Sequence, residues 1–143
     1  MNRWNIRSVF AKLALVFILV GIIACGGEAT TVKIGLLSPQ TGPIAQYAPG
    51  FEDAAKVAIA ELNTTHEGDF IFELIVGDSG CDGTQAGTSA QTLIDSGVSA
   101  IVGAACSGAT LGAIAVAKAA GVPMVSYAST SPGLSTADDN GHL

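Results

Sequence analysis

The feature that most constrains this chain is an alternation between two hydrophobic periods. Residues 32–37 (VKIGLL) form an apolar run of strand length. A loop over residues 38–49 follows, punctuated by Pro39, Gly42 and Pro43. Phe51, Ala54, Ala55, Ala58, Ile59 and Leu62 then recur at the spacing of one helix face. Residues 63–68 end that helix, and 70–76 (FIFELIV) read as a second strand. A second helix is expected over 84–96, with Asp82 as its N-cap and Gly97 past its end. Residues 100–103 read as a third strand, 107–120 as a third helix stopped by Gly121, and 123–126 as a fourth strand. The order βαβαβαβ predicts an α/β fold, a parallel sheet with helices on both faces. Ligands of such sheets sit beyond the carboxyl ends of the strands, near a topological switch point. The loops over 38–49, 77–83, 104–107 and 127–131 are therefore the ones expected to carry function. The alternation ends after residue 126, and a four-stranded parallel sheet with an open edge reads as incomplete.

Residues 1–24 fall outside this pattern. Arg3, Arg7 and Lys12 make a basic start, and residues 13–23 (LALVFILVGII) are apolar and uncharged. That run is too short for a ~30 Å hydrocarbon core, which takes about 20 residues in a helix. It reads as an export signal rather than an uncleaved anchor helix. Ile22-Ile23-Ala24-Cys25 matches the lipobox of bacterial lipoproteins, in which the cysteine is acylated and becomes the mature N-terminus. Residues 1–24 are thus expected to be a lipoprotein signal peptide, Cys25 the lipidation site and 25–31 a lipid-anchored tether. Residues 32–143 are the folded domain. The product is expected to be exported to the periplasm or cell surface and held to a membrane.

From Cys25 onward, Lys33, Lys56 and Lys118 stand against all 12 acidic residues, a formal charge of −9. Such a chain repels phosphate backbones, which argues against nucleic acid as a partner. Aromatic residues are few, so the core must be built from Ala, Val, Ile and Leu. Cys81 and Cys106 remain as an even pair in an oxidising compartment. We read them as a disulfide, against the alternative of two free buried thiols.

Catalytic signatures are missing. No GxGxxG follows the first strand, and residues 103–108 have P-loop spacing but Ala109 where lysine is required. There is no GxSxG, and His66-Glu67 is followed by Gly-Asp-Phe rather than by an HExxH pattern. A Cys106–histidine hydrolase is conceivable, but pairing with Cys81 would remove the nucleophile. No enzyme, cofactor or metal is expected. Two other segments carry more. Cys106-Ser107-Gly108-Ala109-Thr110 opens a helix at a strand's carboxyl end, where N–H groups and the helix dipole favour an anion such as a carboxylate. Ser107 also suits a plain N-cap, and the two roles are compatible. Ser126-Tyr127-Ala128-Ser129-Thr130-Ser131-Pro132 gathers hydroxyls in one loop. Hydroxyls donate and accept, which suits a zwitterion, although a loop of ordinary turn residues looks the same.

In combination these segments resemble a known family. Thr41-Gly42-Pro43-Ile44-Ala45-Gln46-Tyr47, Cys81, Cys106-Ser107 and residues 127–135 (YASTSPGLS) are similar to leucine/isoleucine/valine-type periplasmic binding proteins. The last stretch also looks like the ligand domains of metabotropic glutamate receptors. The resemblance covers residues 32–143. It implies a two-lobed clamshell that holds an amino acid in its cleft and delivers it to the permease of an ABC transporter. A sensory receptor domain on the same fold is the alternative. By position, the Ser107 hydroxyl and the Thr130 backbone would bind the α-carboxylate. The Ala128 carbonyl and the Thr130 hydroxyl would bind the α-ammonium. Tyr47 and the Cys81–Cys106 bridge would line the side-chain pocket, and Ser129 would have room for a further contact. The family's second lobe, with the acid that pairs with the ammonium, has no counterpart in these residues, so the chain reads as part of lobe one.

Overall fold

The computed structural model describes residues 29–136. The signal segment, Cys25 and His142 lie outside the described residues.

Strand β1 (Thr30–Ser38) is apolar on both faces and runs through the middle of a parallel sheet. Strand β2 (Phe70–Asp78) pairs with it along its whole length, bringing Ser38 opposite Asp78. Strand β3 (Ala100–Val102) pairs with the other side of β1, and β4 (Met124–Val125) pairs with β3. The strand order is β2-β1-β3-β4. The chain therefore steps from β1 to β2 and then crosses back over β1 to β3. That reversal puts the switch point between the carboxyl ends of β1 and β3.

Helix α1 (Ala48–Thr65) joins β1 to β2, α2 (Gly83–Asp95) joins β2 to β3, and α3 (Ser107–Ala120) joins β3 to β4. Successive strand side chains point to opposite faces. Gly35 and Gly77 meet Leu93 of α2, whereas Ile34, Leu36, Leu74 and Val102 face Ala55, Ala58, Ile59 and Leu62 of α1. Helices thus cover both faces, as the alternation predicts. The close-packed core lies on the α2–α3 side, where Leu37, Leu93, Ile101 and Met124 interlock with Ala86, Ala90, Ala113 and Ala117. Small residues let α2 and α3 meet backbone to backbone: a Cβ on Gly112 would lie 2.0 Å from the Gly83 carbonyl oxygen. The α1 side is thinner. Ala48 is the residue α1 buries, and apolar hollows of about 340 and 260 Å³ remain beneath the helix.

Several expectations hold in detail. Asp82 caps α2, accepting the Gln85 N–H at 2.9 Å, and Gly121 ends α3 in the left-handed region at φ 68°. Other boundaries differ. Residues 38–49 are not all loop: Ala45–Tyr47 forms a 3-10 turn and α1 starts at Ala48. Pro49 sits in the first helical turn, where its missing N–H costs nothing. α1 ends at Thr65, within the expected 63–68. The Asn63 amide brackets the main chain of Phe72, accepting the N–H at 2.7 Å and donating to the carbonyl at 3.0 Å. The fourth strand is two residues, Met124–Val125, rather than four. Among the described residues no helix is long and apolar enough to cross a membrane.

Candidate functional site

The carboxyl ends of the strands carry the groups singled out from the sequence. Cys106, not Ser107, caps α3: its backbone is extended (φ −91°, ψ 132°) and its side chain makes no capping bond. The reason is that its sulfur is bonded to Cys81, with the two Cα atoms 5.2 Å apart. The first-turn N–H groups of α3 are thereby left to water or a ligand, at the positive end of the helix dipole.

Ser107 is the first helical residue. Its Oγ accepts the N–H of Thr130 at 3.2 Å and of Ser131 at 3.1 Å. A hydroxyl has two lone pairs and one proton. With both lone pairs occupied, Ser107 has only its proton left to offer, which is the polarity a carboxylate requires.

A second set of bonds fixes the loop that supplies those N–H groups. The Ala104 carbonyl accepts from Ser126 Oγ at 2.8 Å, Ser129 Oγ at 3.1 Å and the fully buried Thr110 Oγ1 at 3.3 Å. Ser126 Oγ in turn accepts the Ser129 N–H at 2.9 Å, and the Ser129 and Thr110 hydroxyls are 2.7 Å apart. The Ser129 hydroxyl is therefore turned into the protein. Sequence reading placed it among the ligand contacts, whereas here it ties the loop down. Ala128 and Thr130 are exposed on the outer side of the same loop. The Tyr127 hydroxyl donates to the Leu37 carbonyl at 3.1 Å, and its ring lies 4.8 Å from that of Phe51. Burial, and then the nearby Glu52 carboxylate, push its phenol up to about 12, so it stays a donor.

Tyr47 closes the 3-10 turn before α1 and is 57 % exposed. It stands on a different loop from Ser107 and Thr130. Both apolar hollows lie between α1 and the sheet, and neither is lined by Ser107, Thr130 or Tyr47. Ser107, Thr130 and Tyr47 thus stand apart from these two hollows. Among the described residues no cluster of three His, Cys, Asp or Glu side chains is placed to hold a metal. Sequence reading missed Thr110, Ser126 and Asp78 as organisers of the loops. An acid at the end of a strand (Asp78) and a threonine in the first turn of an apolar helix (Thr110) were the available signals.

Residues 31–143 match the family model of the periplasmic binding proteins. The chain belongs to that family. This periplasmic binding protein is 31% identical over 129 residues to the leucine-, isoleucine-, valine-, threonine- and alanine-binding protein of Pseudomonas aeruginosa, a match covering 90% of this chain and 34% of the relative. It is similar to the branched-chain amino acid transporter substrate binding protein of Streptococcus pneumoniae, solved with isoleucine. There the identity is 34% and the TM-score 0.68, over 75% of this chain and 31% of that one. An ABC transporter solute binding protein of Rhodopseudomonas palustris, solved with 3,4-dihydroxybenzoic acid, is 30% identical with a TM-score of 0.63, over 71% of this chain and 28% of that one. The chain thus spans about a third of the length of these relatives.

Proposed function

We propose that this periplasmic binding protein is an exported, lipid-anchored substrate-binding protein that captures an amino acid, branched-chain or related, for an ABC importer. The single observation that carries the reading is the Ser107 hydroxyl. Its lone pairs are saturated by the Thr130 and Ser131 N–H groups, and it stands at the N-terminus of α3 with its proton left for an anion. The α-carboxylate is that anion. The Thr130 N–H, spent on Ser107 Oγ, aims that hydroxyl's proton outward, the Ala128 carbonyl and Thr130 hydroxyl take the ammonium, and Tyr47 and the disulfide edge the side-chain pocket. A second lobe closes the cleft and excludes water, since a cleft with one wall leaves a ligand half solvated. The names of the relatives favour import over the sensory alternative.

The test is calorimetry on the complete native protein with leucine, isoleucine and valine beside leucinamide and N-acetylleucine. The free amino acids should bind, and blocking either end should abolish or greatly weaken binding. The dihydroxybenzoate bound by one relative supports a second reading, a carboxylate ligand without an ammonium. Tight binding of benzoates and none of leucine would favour that reading.

Membrane attachment rests on Ile22-Ile23-Ala24-Cys25 directly after the apolar run. Cys25→Ala should move the protein from the membrane fraction to the soluble fraction. Intact-mass analysis of the parent should show an acylated chain beginning at Cys25. A parent cleaved elsewhere and lacking acyl mass would contradict the anchor.

A further inference from the structure

The Asp78 carboxylate is not among the groups assigned above, yet it gathers donors from three segments. Its Oδ1 accepts the Thr41 N–H at 3.1 Å and the Gly80 N–H at 2.9 Å. Its Oδ2 accepts the Thr41 hydroxyl at 2.6 Å and the Gln85 side-chain amide at 2.8 Å. The placement explains why. Asp78 ends β2 opposite Ser38, and the Ser38 carbonyl accepts the Ser79 N–H at 2.7 Å. Beyond that point β1 has no strand to follow. The carboxylate continues the tie three residues further, to Thr41. Gly42 then turns with φ +89° against Gly80, so closely that a Cβ would lie 2.2 Å from the Gly80 oxygen.

From Thr41 the path to Tyr47 is short and internally bonded. The Ala45 N–H donates to Gly42 O at 3.3 Å and the Tyr47 N–H to Ile44 O at 3.0 Å. Where Thr41 stands therefore fixes where Tyr47 stands. Partial burial pushes the Asp78 carboxyl up, but the bonds from Thr41, Gly80 and Gln40 together outweigh it and hold it below the usual carboxylate range. The carboxylate is charged and fully committed to this junction.

We propose that Asp78 is a positioning residue for ligand selectivity: through Thr41 it sets where Tyr47 stands at the edge of the site, without touching the ligand. This rests on the amino-acid reading above. The neutral amide of Asn keeps one acceptor oxygen for the Thr41 and Gly80 N–H groups, but it loses the charge and presents an NH2 to the Thr41 hydroxyl and the Gln85 amide, which must reorient to accept from it. Thr41→Val removes the hydroxyl and keeps the shape, while Thr41→Ser keeps the hydroxyl.

The experiment compares leucine with alanine by calorimetry on the complete native protein. Asp78→Asn and Thr41→Val should each change the leucine-to-alanine affinity ratio by about three- to tenfold, the scale of one lost hydrogen bond. Thr41→Ser should hold the ratio within about twofold on the same scale. Without ligand, amide exchange over residues 41–48 should quicken about tenfold in the first two variants, as for a loop that opens more easily, and stay unchanged in α3. Equal weakening of both ligands, or unaltered exchange over 41–48, overturns the proposal. A parent that binds neither amino acid removes the amino-acid reading and this role with it. A parent that binds both, with a ratio no variant moves, removes the positioning role alone.

Discussion

Replacing Ser107 with alanine is expected to weaken amino-acid binding by about ten- to a hundredfold, corresponding to one hydrogen bond to a charged group at about 1.5–3 kcal/mol. The loss should approach the upper end because the hydroxyl works twice. On the proposed reading it offers its proton to the carboxylate, and it accepts the Thr130 and Ser131 N–H groups that hold the 126–131 loop against α3. Thr130→Ala removes a hydroxyl that faces outward and leaves both backbone bonds intact, so its loss should lie near the lower end. Both variants should weaken leucine, isoleucine, valine and alanine by similar factors, since the groups they contact are common to all. Tyr47→Ala should instead reorder the ligands. Calorimetry on the complete protein reads all three. Parent-like affinity in Ser107→Ala, or a loss confined to one ligand, would contradict the assigned roles.

Removal of the Cys81–Cys106 bridge should destabilise the domain by about 3–4 kcal/mol, the chain-entropy cost of freeing a loop of this length. The sequence separation is 25 residues. The bridge closes a loop that contains all of α2 and β3, so its loss acts mainly by enlarging the unfolded ensemble. It also ties the turn after β2 to the start of α3. Cys81 follows the Asp78–Gly80 turn, and Cys106 caps α3 beside Ser107. Urea unfolding of the oxidised protein against a Cys81→Ala/Cys106→Ala variant measures the difference. In the denatured, unreduced protein neither cysteine should react with a thiol reagent. Two reactive thiols there, or equal unfolding midpoints, would contradict the account.

Sequence reading recovered the long elements because their periodicity is their packing. The spacing of Ala55, Ala58, Ile59 and Leu62 marks the face that α1 turns to the sheet. Asp82 and Gly121 announced helix ends because each does a local job that few residue types can do. What was missed depends on tertiary contacts. The Asn63 amide is spent on Phe72, nine residues away and on another element. Cys106 displaced Ser107 as the cap because a partner 25 residues earlier in the chain holds its sulfur. The resemblance gives Ser129 room for a further contact. Its commitment to Ala104 and Thr110 arises only when the carboxyl ends of β3 and β4 come side by side. Asp78 drew no notice because its four donors come from Thr41, Gly80 and Gln85, which no single window of sequence contains.

The central claim is that this lobe grips a ligand's carboxylate at the start of α3. A crystal structure of the complete protein with leucine tests it most directly. The account predicts a carboxylate oxygen within hydrogen-bonding distance of Ser107 Oγ, beside the Thr130 main chain, with the aliphatic group towards Tyr47. A ligand whose carboxylate lies away from Ser107, or one seated in the apolar hollow beneath Phe51 and Tyr127, would contradict it.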